Sequence, residues 1–133
     1  MRTVFVNGCF DILHRGHIEL FKYAKSLGDY LLVAIDSDER IKEHKGPRRP
    51  HNNIGDRKAV LSSIKFIDEV TCFASDVELE EIVKKLAPDN MIVGSDWQGK
   101  KVIGSQHAKN VIFFERIDGY STTRTIQSLS HRR

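Results

Sequence analysis

Two apolar runs with an amphipathic segment between them limit what this chain can fold into. Thr3-Val4-Phe5-Val6-Asn7 and Tyr30-Leu31-Leu32-Val33-Ala34-Ile35 lack the polar alternation of a half-exposed strand, so each must be covered on both faces. Between them, Ile18, Leu20, Phe21, Tyr23, Ala24 and Leu27 recur at helical spacing until Gly28 stops the pattern. Strand, helix, strand in so short a space is a βαβ unit, which requires parallel strands and a right-handed crossover.

The alternation continues. Ser37 to Lys45 is polar and reads as a short helix or turn, and the two prolines within residues 46–53 make an irregular basic loop. Asp56 to Ile64 has a second helical pattern, Asp68 to Phe73 reads as a strand, and Val77 to Leu86 as a helix with Asp76 as its N-cap and Pro88 beyond its end. Met91 to Gly94 and Val111 to Phe114 are further short strands, and Ser121-Thr122-Thr123 opens a C-terminal helix. The pattern predicts one α/β domain over residues 1–133, a Rossmann-like, doubly wound parallel sheet of about five strands with flanking helices.

Composition narrows the function classes. A net charge of +3 is too small for a general nucleic-acid binder, and no segment has the length and apolarity of a membrane span or a leader peptide. Cys9 and Cys72 stand alone, which fits a reduced, cytoplasmic protein better than a disulfide framework or a zinc site. Positive charge is local: Lys42, Lys45, Arg48, Arg49, Arg57 and Lys58 crowd one stretch, as an anionic small ligand would require.

That ligand points to the loop after the first strand. Asn7-Gly8-Cys9-Phe10-Asp11-Ile12-Leu13-His14-Arg15-Gly16-His17 carries two histidines three residues apart where a strand hands over to a helix N-terminus, a place that favours anions. In an open parallel sheet the ligand crevice lies outside the carboxyl ends of the strands, so this loop should meet residues 42–50 and the loops after Met91–Gly94 and Val111–Phe114. With no third histidine, cysteine or carboxylate at a ligand spacing, the pair makes a poor metal site. His44, His51, His107 and His131 are isolated in polar segments and receive no role.

The string Gly8-Cys9-Phe10-Asp11-Ile12-Leu13-His14-Arg15-Gly16-His17 resembles the H-x-G-H signature of the cytidylyltransferase-like nucleotidyltransferases, and Arg116-Ile117-Asp118-Gly119-Tyr120-Ser121-Thr122-Thr123 is similar to their R-T-E-G-I-S-T-T signature. The resemblance implies transfer of a nucleotidyl group from a nucleoside triphosphate to a phosphorylated small molecule with release of pyrophosphate, Mg²⁺ riding on the triphosphate, no nucleic acid or membrane as partner, and a homodimer as in many relatives. His14, His17, Lys45 and Arg116 would then be catalytic. Gly8, Cys9, Phe10, Asp11, Gly16, Gly94, Asp96, Arg116, Gly119, Ser121, Thr122 and Thr123 would bind the nucleotide, with Asp11 also suited to a capping or salt-bridge role and Cys9 a small packed residue and no nucleophile. Arg57, Lys65, Trp97 and Lys100 would bind the acceptor.

Two activities within that family compete for the chain. Lys45-Gly46-Pro47-Arg48-Arg49-Pro50, Asn52, Asp56-Arg57, Pro88-Asp89 and Ile103-Gly104-Ser105 resemble the adenylyltransferase that makes ADP-heptose from heptose 1-phosphate. Asp96-Trp97-Gln98-Gly99-Lys100 and Arg116 resemble glycerol-3-phosphate cytidylyltransferase, as does the chain length, and this second reading is the leading expectation. A nucleotide-binding regulator that has lost turnover is a remoter alternative.

Overall fold

The computed structural model describes residues 1–115. Five strands and four α-helices alternate along it: β1 (Thr3–Gly8), α1 (Arg15–Ser26), β2 (Tyr30–Asp36), α2 (Asp38–Lys45), α3 (Ile54–Ser62), β3 (Glu69–Phe73), α4 (Asp76–Leu86), β4 (Asn90–Gly94) and β5 (Asn110–Phe114). Short 3₁₀ turns cover Ser95–Trp97 and Ser105–His107.

All strands are parallel, in the order β3-β2-β1-β4-β5. The winding therefore reverses between β1 and β4. β1 pairs with β2 at six positions from Thr3–Tyr30 to Gly8–Ile35, and with β4 at three, Val4–Asn90, Phe5–Met91 and Val6–Ile92.

Strand alternation splits the core into two layers. Val4, Val6, Leu31, Val33 and Ile35 face one side with Phe21 and Ala24 of α1 and Leu61 of α3. Phe5, Leu32, Ala34 and Met91 face the other with Leu79 and Val83 of α4. Phe5 and Phe21 are fully buried, each stabilising the fold by about 1.5–3 kcal/mol relative to exposure.

Each helix starts on a side-chain cap. Ser37 Oγ accepts from the Arg40 N–H at 3.2 Å, and Asn53 Oδ1 from the Asp56 N–H at 2.9 Å. Ser75, and not Asp76, caps α4: its Oγ accepts from the Glu78 N–H at 3.1 Å, while Asp76 is the first helical residue and its carboxylate meets Arg40. The predicted start of α1 at Ile18 moves back to Arg15, because the polar first turn carries no apolar signal although it is helical.

Gly104 is the position where the fold demands glycine. Its φ is +84°, and a Cβ there would lie 2.8 Å from Val83 Cβ. The loop after β4 thus presses directly on α4.

Candidate active site

A cleft of about 570 Å³ opens at the carboxyl ends of the strands, outside the β1/β4 reversal, where a doubly wound sheet places its ligand. Gly8, Cys9, Phe10, His14, Gly16 and His17 line it from the β1 side, Gly94, Asp96 and Trp97 from the β4 side, and Lys45 from the end of α2.

The two histidines cap α1 for each other. His14 is the N-cap residue, and its Nδ1 accepts the Gly16 N–H at 3.1 Å; His17 Nδ1 accepts the His14 N–H at 3.2 Å. The rings stack with centroids 4.0 Å apart. A neutral imidazole whose Nδ1 accepts must carry its proton on Nε2, so both rings become Nε2–H donors. The Gly16 N–H of the first turn is spent on the cap. The two imidazoles stand at the positive end of the helix dipole, a place that favours an anion.

Phe10 supports that geometry from below. Its φ is +45°, an expensive conformation for a side chain of this size, and burial to 7% exposure holds it there. The ring meets His17 edge-on at 5.4 Å and Phe21 at 5.1 Å. Gly8 makes room for it, since a Cβ on Gly8 would stand 3.0 Å from Phe10 Cζ. Phe10 thus braces His17. Lys45 is placed across the cleft, with Nζ 3.0 Å from Cys9 Sγ.

Several expected ligands turn out to be structural. Asp11 is not on the cleft wall: its carboxylate is fully buried and accepts the His51 N–H at 2.7 Å, the Asn52 N–H at 2.8 Å and Arg49 Nε at 3.3 Å. Its carbonyl takes Asn52 Nδ2 at 2.9 Å, so Asp11 staples the basic loop to the β1 loop, the salt-bridge role its sequence position also allowed. Arg57 is likewise turned inward: its side chain is wholly buried and its guanidinium donates to Cys9 O, Asp36 O, Asn52 O and Asp38 Oδ1 at 2.6–3.1 Å. Lys65 precedes β3 and sits over the Phe66 ring at the amino edge of the sheet, opposite the cleft. Lys100 is exposed, 6.0 Å from the Trp97 ring, and lies outside the cleft wall, while Trp97 is 48% exposed at its rim. Arg116, Gly119, Ser121, Thr122 and Thr123 lie outside the described residues.

A second wall escaped the sequence reading. Asp36 at the end of β2, Arg40, Ile41 and His44 on α2, Phe73 at the end of β3 and Leu79 on α4 also line the cleft. Arg40 Nε donates to Asp36 Oδ1 at 2.9 Å and Nη2 to Asp76 Oδ1 at 2.6 Å, with the guanidinium 5.3 Å from the Phe73 ring centroid. Partial burial pulls the Arg40 pKa down, and the hydrogen bond and charge of Asp76 and Asp36 more than offset this, so the net shift is upward and the group stays cationic. The signal available in sequence was the i, i+4 spacing of Arg40 and His44.

Among the described residues, no three His, Cys, Asp or Glu side chains gather as a metal ligand set, and no helix is long and apolar enough to cross a membrane.

The chain is similar to known proteins along nearly its whole length. The bifunctional protein HldE of Campylobacter fetus is 44% identical over 126 residues, 95% of this chain and 27% of that protein, and HldE of Sulfurimonas denitrificans is 42% identical over 128 residues, 96% of this chain and 27% of that protein. The chain therefore spans about a quarter of the length of these curated relatives. Among solved structures, the lipopolysaccharide core biosynthesis protein of Thermoplasma volcanium superposes with a TM-score of 0.68 at 27% identity, covering 91% of this chain and 99% of that one. Pantothenate synthetase of Thermus thermophilus shares the fold at a TM-score of 0.61 and 13% identity, covering 99% of this chain and 67% of its own. The cytidylyltransferase-like family model matches residues 5–128, which include the stacked histidine pair, and the chain belongs to the cytidylyltransferase-like family of nucleotidyltransferases.

Proposed function

We propose that this nucleotidyltransferase moves an adenylyl group from ATP to heptose 1-phosphate, giving ADP-heptose and pyrophosphate. The observation that carries the choice of substrates is the 42–44% identity to bifunctional protein HldE along 95–96% of the chain. The loop Lys45–Pro50 with Asn52, which resembles the heptose adenylyltransferase, supports it, as does the likeness to a protein of lipopolysaccharide core biosynthesis. This reverses the expected preference for CTP and glycerol 3-phosphate. That preference leaned on the run Asp96 to Lys100, of which Asp96 and Trp97 line the cleft and Lys100 does not, on the chain length, and on Arg116, outside the described residues.

In this reading an oxygen of the acceptor phosphate attacks the α-phosphorus of ATP in line, a new P–O bond forms, and the bond to the pyrophosphate oxygen breaks. The attacking phosphate is already ionised near neutral pH, so no general base is required. Catalysis consists of alignment and charge stabilisation. The Nε2–H groups of His14 and His17 donate to phosphate oxygens where negative charge accumulates, and their Nδ1 bonds to the backbone hold them ready without reorganisation. The Lys45 ammonium approaches the phosphates from the opposite wall. Mg²⁺ carried by the triphosphate would supply charge neutralisation, since among the described residues no His, Cys, Asp or Glu cluster gathers to hold it.

The test is a grid of ATP, CTP, GTP and UTP against heptose 1-phosphate, glycerol 3-phosphate and choline phosphate, read by pyrophosphate release. ATP with heptose 1-phosphate should turn over fastest. Turnover confined to CTP with glycerol 3-phosphate would overturn the substrate reading, and silence in every combination would point to a nucleotide-binding regulator.

A further inference from the structure

The second wall of the cleft has a composition that the phosphate chemistry does not use. The triphosphate is accounted for by the β1 loop, the start of α1 and Lys45; Asp36 and Arg40 lie on the other side of β1, at the end of β2 and on the first turn of α2. Their side chains are only 20% and 15% exposed, and both residues line the cleft.

Each has one hydrogen-bonding position to spare. Asp36 Oδ1 takes Arg40 Nε, and among the described residues no bond engages Asp36 Oδ2. Arg40 spends Nε on Asp36 and Nη2 on Asp76, and no bond among the described residues engages Nη1. A fixed acceptor oxygen thus sits beside a fixed donor nitrogen. The Phe73 ring under the guanidinium and the two carboxylates flanking it prevent the arginine from swinging away.

The charge of this cluster decides which part of a ligand it can meet. Two carboxylates against one guanidinium leave it net negative, so it repels a phosphate and accepts neutral hydroxyls. The phosphate end belongs at the opposite end of α2, where Lys45 reaches toward Cys9. Lys45 follows Arg40 by five helical steps, about 7.5 Å of axis, a span that suits a sugar carrying its phosphate and exceeds a bare phosphate.

We propose that Asp36 and Arg40 form the hydroxyl-reading end of the acceptor site, Asp36 Oδ2 accepting from a sugar hydroxyl and Arg40 Nη1 donating to a neighbouring sugar oxygen. The pair fixes which phosphorylated polyol is used and takes no part in the bond changes at phosphorus. It rests on the reading of the acceptor as a sugar phosphate.

The experiment is steady-state pyrophosphate release with ATP, heptose 1-phosphate and its monodeoxy analogues, for the wild type, Asp36→Asn and Arg40→Gln. Asp36→Asn should raise the acceptor KM about 10- to 100-fold, the value of a hydrogen bond to a charged group, and leave the KM for ATP unchanged. At least one deoxy analogue should be penalised by the wild type and not by the variant. Arg40→Gln, which keeps a side chain over Phe73, should do the same for a neighbouring position. A loss that is equal on every analogue, or a KM for ATP that rises in step, is what a merely structural pair would give and overturns the assignment. If the wild type turns over no acceptor, the proposed function falls, and calorimetric titration of heptose 1-phosphate then decides: weaker binding to Asp36→Asn sustains the pair, while equal or absent binding overturns it.

Discussion

Replacing Arg57 separates a structural arginine from a substrate ligand. Arg57→Met keeps most of the side-chain volume and removes four donated hydrogen bonds, to Asn52 O at 3.1 Å, Cys9 O at 2.9 Å, Asp36 O at 2.8 Å and Asp38 Oδ1 at 2.6 Å. Charged hydrogen bonds of this kind are each worth about 1.5–3 kcal/mol net, but their sum overstates the loss, because Asp38 is 27% exposed and regains water. Removing one partner of a buried pair costs about 3–5 kcal/mol, and that figure is the expected one here. Against a total stability on the order of 5–15 kcal/mol it is a large fraction, equivalent to a fall in Tm of about 10–20 °C. Urea unfolding followed by circular dichroism should show the midpoint falling with an unchanged slope. Arg57→Lys should lie between, since one ammonium cannot span acceptors on β1, β2 and the basic loop. A loss under about 1 kcal/mol accompanied by a steep rise in acceptor KM would refute the structural role and restore Arg57 as a ligand.

Three other outcomes follow from the geometry. Both His14→Ala and His14→Asn should lower kcat by about 10²- to 10³-fold, but only Ala, which abolishes the N-cap, should cost about 1 kcal/mol in thermal melts; identical melts would contradict the capping role. Gly104→Ala should destabilise by about 1–3 kcal/mol, because φ of +84° and a 2.8 Å approach to Val83 Cβ are both penalised, and a Val83→Ala background, which removes the Cγ contacts and keeps Cβ, should recover only part of the loss; complete rescue would contradict both the strain and the Cβ contact. Burial raises the pKa of Asp68, but the Lys25 ammonium and the Leu31 N–H more than reverse this, so its carboxyl titrates below the usual range. Its stabilisation is full above the unfolded carboxylate pKa and is lost as pH falls through the depressed folded value. Asp68→Asn should flatten the acid limb of the stability curve; an unchanged limb would remove Asp68 from it.

The sheet was legible because buried parallel strands write continuous apolar runs, as Tyr30 to Ile35 does, and the histidine pair because its spacing and its place between strand and helix are local features. Other parts lacked such marks. α2 has one buried residue, Ile41, so its polar sequence left helix and turn undecided. Ser75 and Asp76 are adjacent and both able to cap, and only the hydrogen bond to the Glu78 N–H separates them. Arg57 and Asp11 are satisfied largely by backbone groups of distant segments, which carry no side-chain signature at all. Lys65 was expected to bind the acceptor with Arg57, yet it follows α3 and stands at the opposite edge of the sheet. The Asp36 and Arg40 pair was hidden for the same reason: its meaning depends on Phe73 and Asp76, supplied by a strand and a helix much later in the chain.

The unequal stitching of the sheet around β1 has a mechanical consequence. Six registered positions bind β1 to β2, and three bind it to β4. The histidine loop, α2, Asp36 and Arg40 therefore stand on the side of the longer seam, and Gly94, Asp96 and Trp97 stand beyond the shorter one. The shorter seam is nonetheless deeply buried, with Phe5, Val6, Met91 and Ile92 at 0–2% exposure, so packing on both faces of the sheet holds it where the ladder is short. The width of the cleft above it is therefore set by how these four side chains pack.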